Sequence, residues 1–87
     1  MILLPPWSDT KHDSIVKDSD SGYARVYTHS QNPVPHDALW FMSINFPHIA
    51  SKHYEAFVSR DSAKDAVDKK LKKIGYRITT QKLINLL

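Results

Sequence analysis

The stretch DSAKDAVDKKLKKI, residues 61–74, decides the fold, because its apolar residues recur at the spacing of a helix. One arc of that helix holds the apolar residues Ala63, Ala66, Val67, Leu71 and Ile74, with Lys70 at its border. Ser59 or Asp61 can cap the amino end, and Gly75 stands where helices commonly end on a left-handed residue. We therefore predict an amphipathic helix over residues 61–74, with its apolar stripe packed on a second layer.

Three segments before this helix are rich in aromatic and β-branched residues: YARVYTH (23–29), ALWFMSINF (38–46) and HYEAFVS (53–59). The linkers between them have eight and six residues, too few for a helical crossover, so neighbouring strands should pair antiparallel. The sequence thus predicts an α+β domain of order β-β-β-α. Its sheet is a three-stranded meander, with residues 14–17 as a candidate fourth strand.

Alternation along these segments assigns the sheet two faces. The predicted core face collects Ala24, Val26, Thr28, Trp40, Met42, Ile44, Phe46, Tyr54, Ala56 and Val58. The other face is aromatic, basic and polar, and its candidate binding residues are Tyr23, Arg25, Tyr27, Phe41 and Phe57. Aromatic rings and guanidinium planes stack on unpaired bases, and they also anchor protein interfaces. This second face is therefore a candidate surface for nucleic acid or for protein.

The chain reads as a single domain over residues 1–87, with an arm and loop over 1–22 and a strand and tail over 76–87. Both ends are apolar, through Ile2, Leu3, Leu4 and Trp7 at one end and Leu83, Ile84, Leu86 and Leu87 at the other. Since one helix covers only one face of a sheet, the other face needs a cover. The terminal arms, a second copy of the chain and a binding partner are the three candidates.

The formal charge of +3 is unevenly distributed along the chain. Residues 1–37 carry three bases and five acids, or −2, whereas residues 38–87 carry nine bases and four acids, or +5. Six bases occur without an intervening acid: Lys69, Lys70, Lys72, Lys73, Arg77 and Lys82. The lysines complement the dipole at the carboxyl end of the helix, but Arg77 and Lys82 lie beyond it. A basic patch for phosphates or an acidic protein surface is the alternative interpretation.

Composition argues against several kinds of chemistry. The chain has no cysteine and only two glycines, so it offers neither a thiolate ligand or nucleophile nor a glycine-rich phosphate cradle. Its five histidines are scattered, and none pairs with another at helical i, i+4 spacing. We predict no enzymatic activity, no metal, no cofactor and no small-molecule substrate. Without a signal-peptide pattern or an apolar run of about 20 residues, an intracellular, cytoplasmic protein that does not enter the membrane is expected.

Three functions remain as hypotheses. The first is a small binding protein that docks stoichiometrically on a larger protein complex. Inhibitors encoded by phages and other mobile elements, anti-CRISPR proteins among them, are typically of this size and free of catalytic motifs. The second is a nucleic-acid-binding module that uses residues 69–82 and the aromatic sheet face. The third is a structural or assembly protein that forms a homodimer.

Overall fold

The structure is a computed structural model that describes residues 2–18, 22–29, 34–46 and 49–79, with backbone alone for residues 49–55. These ranges contain seven strands and one helix. In chain order they are β1 (Ile2–Leu4), β2 (Ser8–Asp9), β3 (Asp13–Asp18), β4 (Gly22–Tyr27), β5 (Trp40–Phe46), β6 (Ile49–Phe57), α1 (Arg60–Lys72) and β7 (Tyr76–Ile78).

Five of the strands form one antiparallel sheet in the order β2-β3-β4-β5-β6. The predicted α+β class and the meander are confirmed, and the sheet has two more strands than the three predicted. The candidate fourth strand is β3, which pairs with β4 from Asp13 opposite Tyr27 to Asp18 opposite Gly22. Gly22 has a φ of +149°, and a Cβ there would lie 1.9 Å from the Asn45 carbonyl oxygen. Only glycine allows β4 to approach β5 so closely at this point.

The helix forms where the apolar spacing predicts it, displaced by one or two residues at its ends. Ser59 is the N-cap, and its hydroxyl oxygen accepts the Ser62 amide N–H at 3.1 Å. Gly75 follows the helix with a φ of +89°, the left-handed conformation in which glycine commonly ends helices. The buried residues of α1 are Ala63, Val67 and Leu71, and Ala66 and Ile74 pack beside them. The predicted apolar stripe is confirmed.

The core lies between α1 and one face of the sheet. The sheet contributes Val16, Ala24, Val26, Trp40, Met42, Ile44 and Phe46. A second, two-stranded sheet of β1 and β7, which run parallel, adds Leu4, Tyr76 and Ile78 to the same core. The amino-terminal arm therefore packs on the helix side, through Leu4 and Trp7, while Ile2 and Leu3 remain half exposed. The amino-terminal arm, one of the candidate covers of the second sheet face, thus lies on the helix side, where β7 offers it a strand partner.

The faces predicted for Ala56, Phe57 and Val58 are wrong. Phe57 packs against the core, whereas Ala56 is exposed and Val58 is 76% exposed. The register explains the exchange. Ile49 pairs with Phe46, so odd-numbered residues of β6 lie on the same sheet face as even-numbered residues of β5. The bulge before Phe57 does not change this relation, because Phe57 still pairs with Trp40. The predicted segment begins at residue 53, inside the strand, and its alternation alone does not show which of its faces joins the core face of β5.

Two further expectations lie outside what the structure describes. The carboxyl-terminal tail over residues 80–87 is one, and the side chain of Tyr54 is the other. In the described part of the chain, no helix combines the length and the apolar character needed to cross a lipid bilayer.

Candidate functional site

We call the face of the five-stranded sheet that is turned away from α1 the open face. Alternation along the strands places Asp13, Ile15, Tyr23, Arg25, Tyr27 and Phe41 on it, with His29 and Leu39 at one end. Tyr23 is 39% exposed and Leu39 is 50% exposed. Among the described residues, the elements that pack on the sheet, α1 and the β1–β7 pair, join the core on the opposite face. Within the part of the chain that the structure describes, the open face is therefore the accessible side of the sheet.

Three rings form a cluster on the open face. The ring centroids of Tyr27 and Phe41, which are paired across β4 and β5, lie 5.9 Å apart. The His29 ring lies 5.4 Å from Tyr27 and 5.2 Å from Phe41. The rings meet edge-on or tilted, at interplanar angles of 78°, 33° and 47°, the geometry that aromatic quadrupoles favour. The cluster is thus a pre-formed apolar surface.

The Arg25 guanidinium lies over the Tyr27 ring of this cluster. Its Nε donates to Asp13 Oδ2 at 3.2 Å, its Nη2 lies 3.2 Å from the same oxygen, and its Cζ lies 4.8 Å from the Tyr27 ring centroid. The other carboxylate oxygen of Asp13 accepts the Thr10 hydroxyl at 2.6 Å. The ion pair with Asp13, the contact with the Tyr27 ring and the Thr10 hydrogen bond on Asp13 hold Arg25 in one orientation, so less side-chain entropy remains to be lost on binding.

A hollow of about 380 Å³ adjoins the ring cluster at the Leu39 end of the open face. It is lined by Thr28, His29, Pro35, Asp37, Ala38, Leu39 and Phe41. The Thr28 hydroxyl donates to the Leu39 carbonyl oxygen at 2.8 Å and fixes that wall. Val58 follows Phe57, which pairs with Trp40, and it therefore lies at the same end of the sheet as Leu39. The hollow has mostly apolar walls and is large enough to accept a side chain.

The structure brings together four of the five residues predicted for this face, namely Tyr23, Arg25, Tyr27 and Phe41. Phe57 packs against the core on the other side, for the register reason given above. Sequence reasoning missed Asp13 and Ile15, which belong to β3. Their signal is the alternation of DSIVKD over residues 13–18, but the candidate strand over residues 14–17 is shorter and carries no assignment of faces.

The predicted basic residues form a separate surface. Lys69, Lys72 and Lys73 are exposed at the carboxyl end of α1, and Lys70 and Arg77 are partly exposed. Because α1 packs on the core face, this surface and the open face point to opposite sides of the sheet. The one ion pair among these five is Lys72 Nζ to Asp68 Oδ2 at 3.1 Å, within the residues that the structure describes. Lys82 lies outside them.

Two cations of α1 fasten the β2–β3 hairpin rather than form a site. The Arg60 guanidinium donates to the carbonyl oxygens of Thr10 and Lys11 at 2.7 and 2.8 Å. Lys64 Nζ lies 2.9 Å from Asp9 Oδ1. A hydrogen bond with the Ser14 hydroxyl and the neighbouring Lys64 ammonium lower the pKa of Asp9 below its usual value. Within the described ranges, no three histidine, aspartate or glutamate side chains converge as metal ligands would.

Comparisons of the chain with protein-family models, with curated proteins and with solved structures find no match.

Proposed function

We propose that this protein is a small, non-catalytic binding protein that docks on a larger protein partner through the open face. The observation that carries the proposal is the ring cluster of Tyr27, His29 and Phe41, with Arg25 fixed over it. Tyrosine and arginine are enriched among the residues that dominate protein interfaces. Such residues act most strongly when they are already oriented and lie beside a pocket, and the hollow next to Leu39 supplies one.

The chemistry of the open face favours a protein partner over unpaired nucleic-acid bases. A base stacks on a free ring face, but Arg25 occupies one face of Tyr27, and the three rings contact one another. The Arg25 charge is balanced by Asp13, whose carboxylate would repel a phosphate entering there. A mixed aromatic and paired-charge surface matches the composition of protein interfaces.

The most specific form of the proposal is an inhibitor that acts by occupying a surface of a cytoplasmic complex, as phage-encoded inhibitors of defence systems, anti-CRISPR proteins among them, do. Its support is the small size, the absence of cysteine in keeping with a reducing compartment, and a rigid surface on a small domain. A homodimer that uses the same open face is the competing hypothesis.

Site-specific photo-crosslinking tests the proposal. A photoreactive phenylalanine analogue replaces Leu39 on the open face or, in a matched control, Leu3 on the outer side of the β1–β7 pair. The two side chains are 50% and 51% exposed, so the probes are equally accessible. In an extract of the cells from which the chain comes, we expect the Leu39 probe to give a saturable adduct with one protein, and the Leu3 probe not to.

Competition defines the surface further. Excess unlabelled wild type and Leu3→Ser should abolish the adduct, whereas Leu39→Ser or Arg25→Ala should compete at least about tenfold less well, as expected when an interface anchor is lost. Equal adducts from both probe positions would refute docking through the open face. An adduct consisting only of two copies of this chain would replace the proposal with the homodimer.

A further inference from the structure

We propose that the groove between the carboxyl end of α1 and β7 binds the phosphate backbone of nucleic acid, and that it does so independently of the open face. This basic groove is lined by Lys72, Gly75, Tyr76 and Arg77 and has a volume of about 390 Å³. Gly75, in the left-handed conformation, turns the chain from the helix into the strand, so that Lys72 and Arg77 stand on the lining of one hollow. Apart from Gly75 and its two chain neighbours, no atom lies within 4 Å of the position that a Cβ of Gly75 would occupy, so the groove is open there.

The charge around the basic groove is predominantly positive, although Lys72, which is 51% exposed, is paired with Asp68. No acid occurs between residues 69 and 79, and the exposed Lys69 and Lys73 extend the positive surface along the last turn of α1. The helix dipole accounts for lysines in that last turn. It does not account for Arg77, whose guanidinium belongs to the following strand. Among the described residues, Asp68 is the one acid paired with a cation of this surface, through Lys72.

Phosphodiesters fit this site better than other anionic partners do. The guanidinium of Arg77 presents the planar fork that binds phosphate oxygens bidentately, and Lys72 adds a point charge. The Tyr76 ring is 4% exposed and packs on Phe46 at a centroid distance of 4.8 Å, so the described lining of the groove offers no ring on which a base can stack. Recognition is therefore of the backbone and independent of sequence. A concave site also fits a phosphate chain better than it fits a flat bilayer.

The test measures binding of the whole protein to a fluorescent 20-base-pair duplex of arbitrary sequence. Fluorescence anisotropy gives the affinity at a series of salt concentrations. We expect Lys72→Ala/Arg77→Ala to lower the affinity at least about tenfold at about 50 mM salt. The slope of log K against log salt should fall by about two, one for each lost phosphate contact. The Lys69→Ala/Lys73→Ala variant changes only exposed side chains and should therefore fold normally. We expect it to weaken duplex binding as well, and misfolding would not explain that loss.

Lys11→Ala/Lys17→Ala is the matched control, because it removes the same charge from exposed positions away from the basic groove. We expect it to weaken binding less than about threefold and to keep the wild-type slope. If this control lost as much affinity as Lys72→Ala/Arg77→Ala, net charge alone would explain the effect and the proposal would be overturned. Absence of duplex binding by the wild type would overturn it too. Wild-type binding to phosphatidylserine vesicles or to polyglutamate, but not to the duplex, would overturn it in favour of a membrane or an acidic protein. Leu39→Ser, which changes the open face, should bind the duplex with wild-type affinity. Duplex binding by the basic groove can therefore be tested separately from protein docking on the open face.

Discussion

At the scale of single residues, Asp9 couples the stability of the fold to pH. Its carboxylate is paired with Lys64, and a hydrogen bond with Ser14 is the main reason why the pKa of Asp9 lies below its usual value. A carboxyl group with a lower pKa in the folded state stabilises the fold above its unfolded pKa. That contribution disappears as the pH falls through the lower, folded value. The side chain is 51% exposed, so solvent screening keeps the effect small.

The first prediction concerns acid unfolding. The free energy of unfolding should fall as the pH is lowered below about 4, the usual range of an aspartate, and Asp9→Asn should reduce that fall. At pH 7 the same variant should be less stable than wild type by under about 1 kcal/mol. Urea titrations at pH 7, 4 and 3 measure both effects. Asp65→Asn on the exposed side of α1 is the control, and an identical pH dependence in Asp9→Asn and wild type would contradict the assignment.

At the scale of elements, Arg60 joins the helix to the β2–β3 hairpin. A cation in the first turn of a helix opposes the helix dipole, so this position needs a compensating contact. The compensation comes from the carbonyl oxygens of Thr10 and Lys11 and from the Trp40 ring, whose centroid lies 4.4 Å from Arg60 Cζ. The two hydrogen bonds cross 50 and 49 residues of sequence and hold the hairpin loop against the amino end of α1.

The second prediction follows from that geometry. Arg60→Ala should destabilise the fold by about 1.5–3 kcal/mol, because two carbonyl oxygens lose charged donors and Trp40 loses a cation. Arg60→Lys should recover only part of this, since one ammonium cannot reproduce the fork. Lys69→Ala removes the same charge from an exposed site on the same helix and should cost less than about 0.5 kcal/mol. Chemical denaturation compares all three, and equal losses in Arg60→Ala and Lys69→Ala would refute the role of the fork.

The same elements show how much the sequence could predict. Helix α1 was predictable because its stripe, cap and terminating glycine lie within a few consecutive residues. The open face was predictable at Tyr23, Arg25, Tyr27 and Phe41, because β4 and β5 alternate without interruption. Phe57 was not, because the face of a β6 residue depends on the pairing of Ile49 with Phe46 and on the bulge. The Arg25–Asp13 and Arg60–Thr10 contacts join residues that are distant in sequence, and local patterns carry no information about them.

At the scale of the whole molecule, the fold closes by pairing its described ends. β1 near the amino terminus runs parallel to β7, and the Leu4 carbonyl oxygen accepts both the amide and the hydroxyl of Thr79, at 3.0 and 2.6 Å. Leu4 itself is 1% exposed, within the core that α1 and the sheet share. This placement turns the arm to the helix side and leaves the open face and the basic groove on opposite sides of the molecule.

The third prediction tests whether this closure belongs to the cooperative unit. Leu4→Ala should lower the free energy of unfolding by about 2–4 kcal/mol, because it removes buried methyl groups and leaves a cavity beneath α1. Leu3→Ala, one residue away and 51% exposed, should change it by no more than about 0.5 kcal/mol. Fluorescence and circular dichroism during urea unfolding should give one coincident transition for both variants. If Leu4→Ala cost no more than Leu3→Ala, β1 would be a peripheral strand, and the arm would be free to leave the helix side and reach the open face. A large difference between the two leucines ties the accessibility of the open face to the same contacts that stabilise the core.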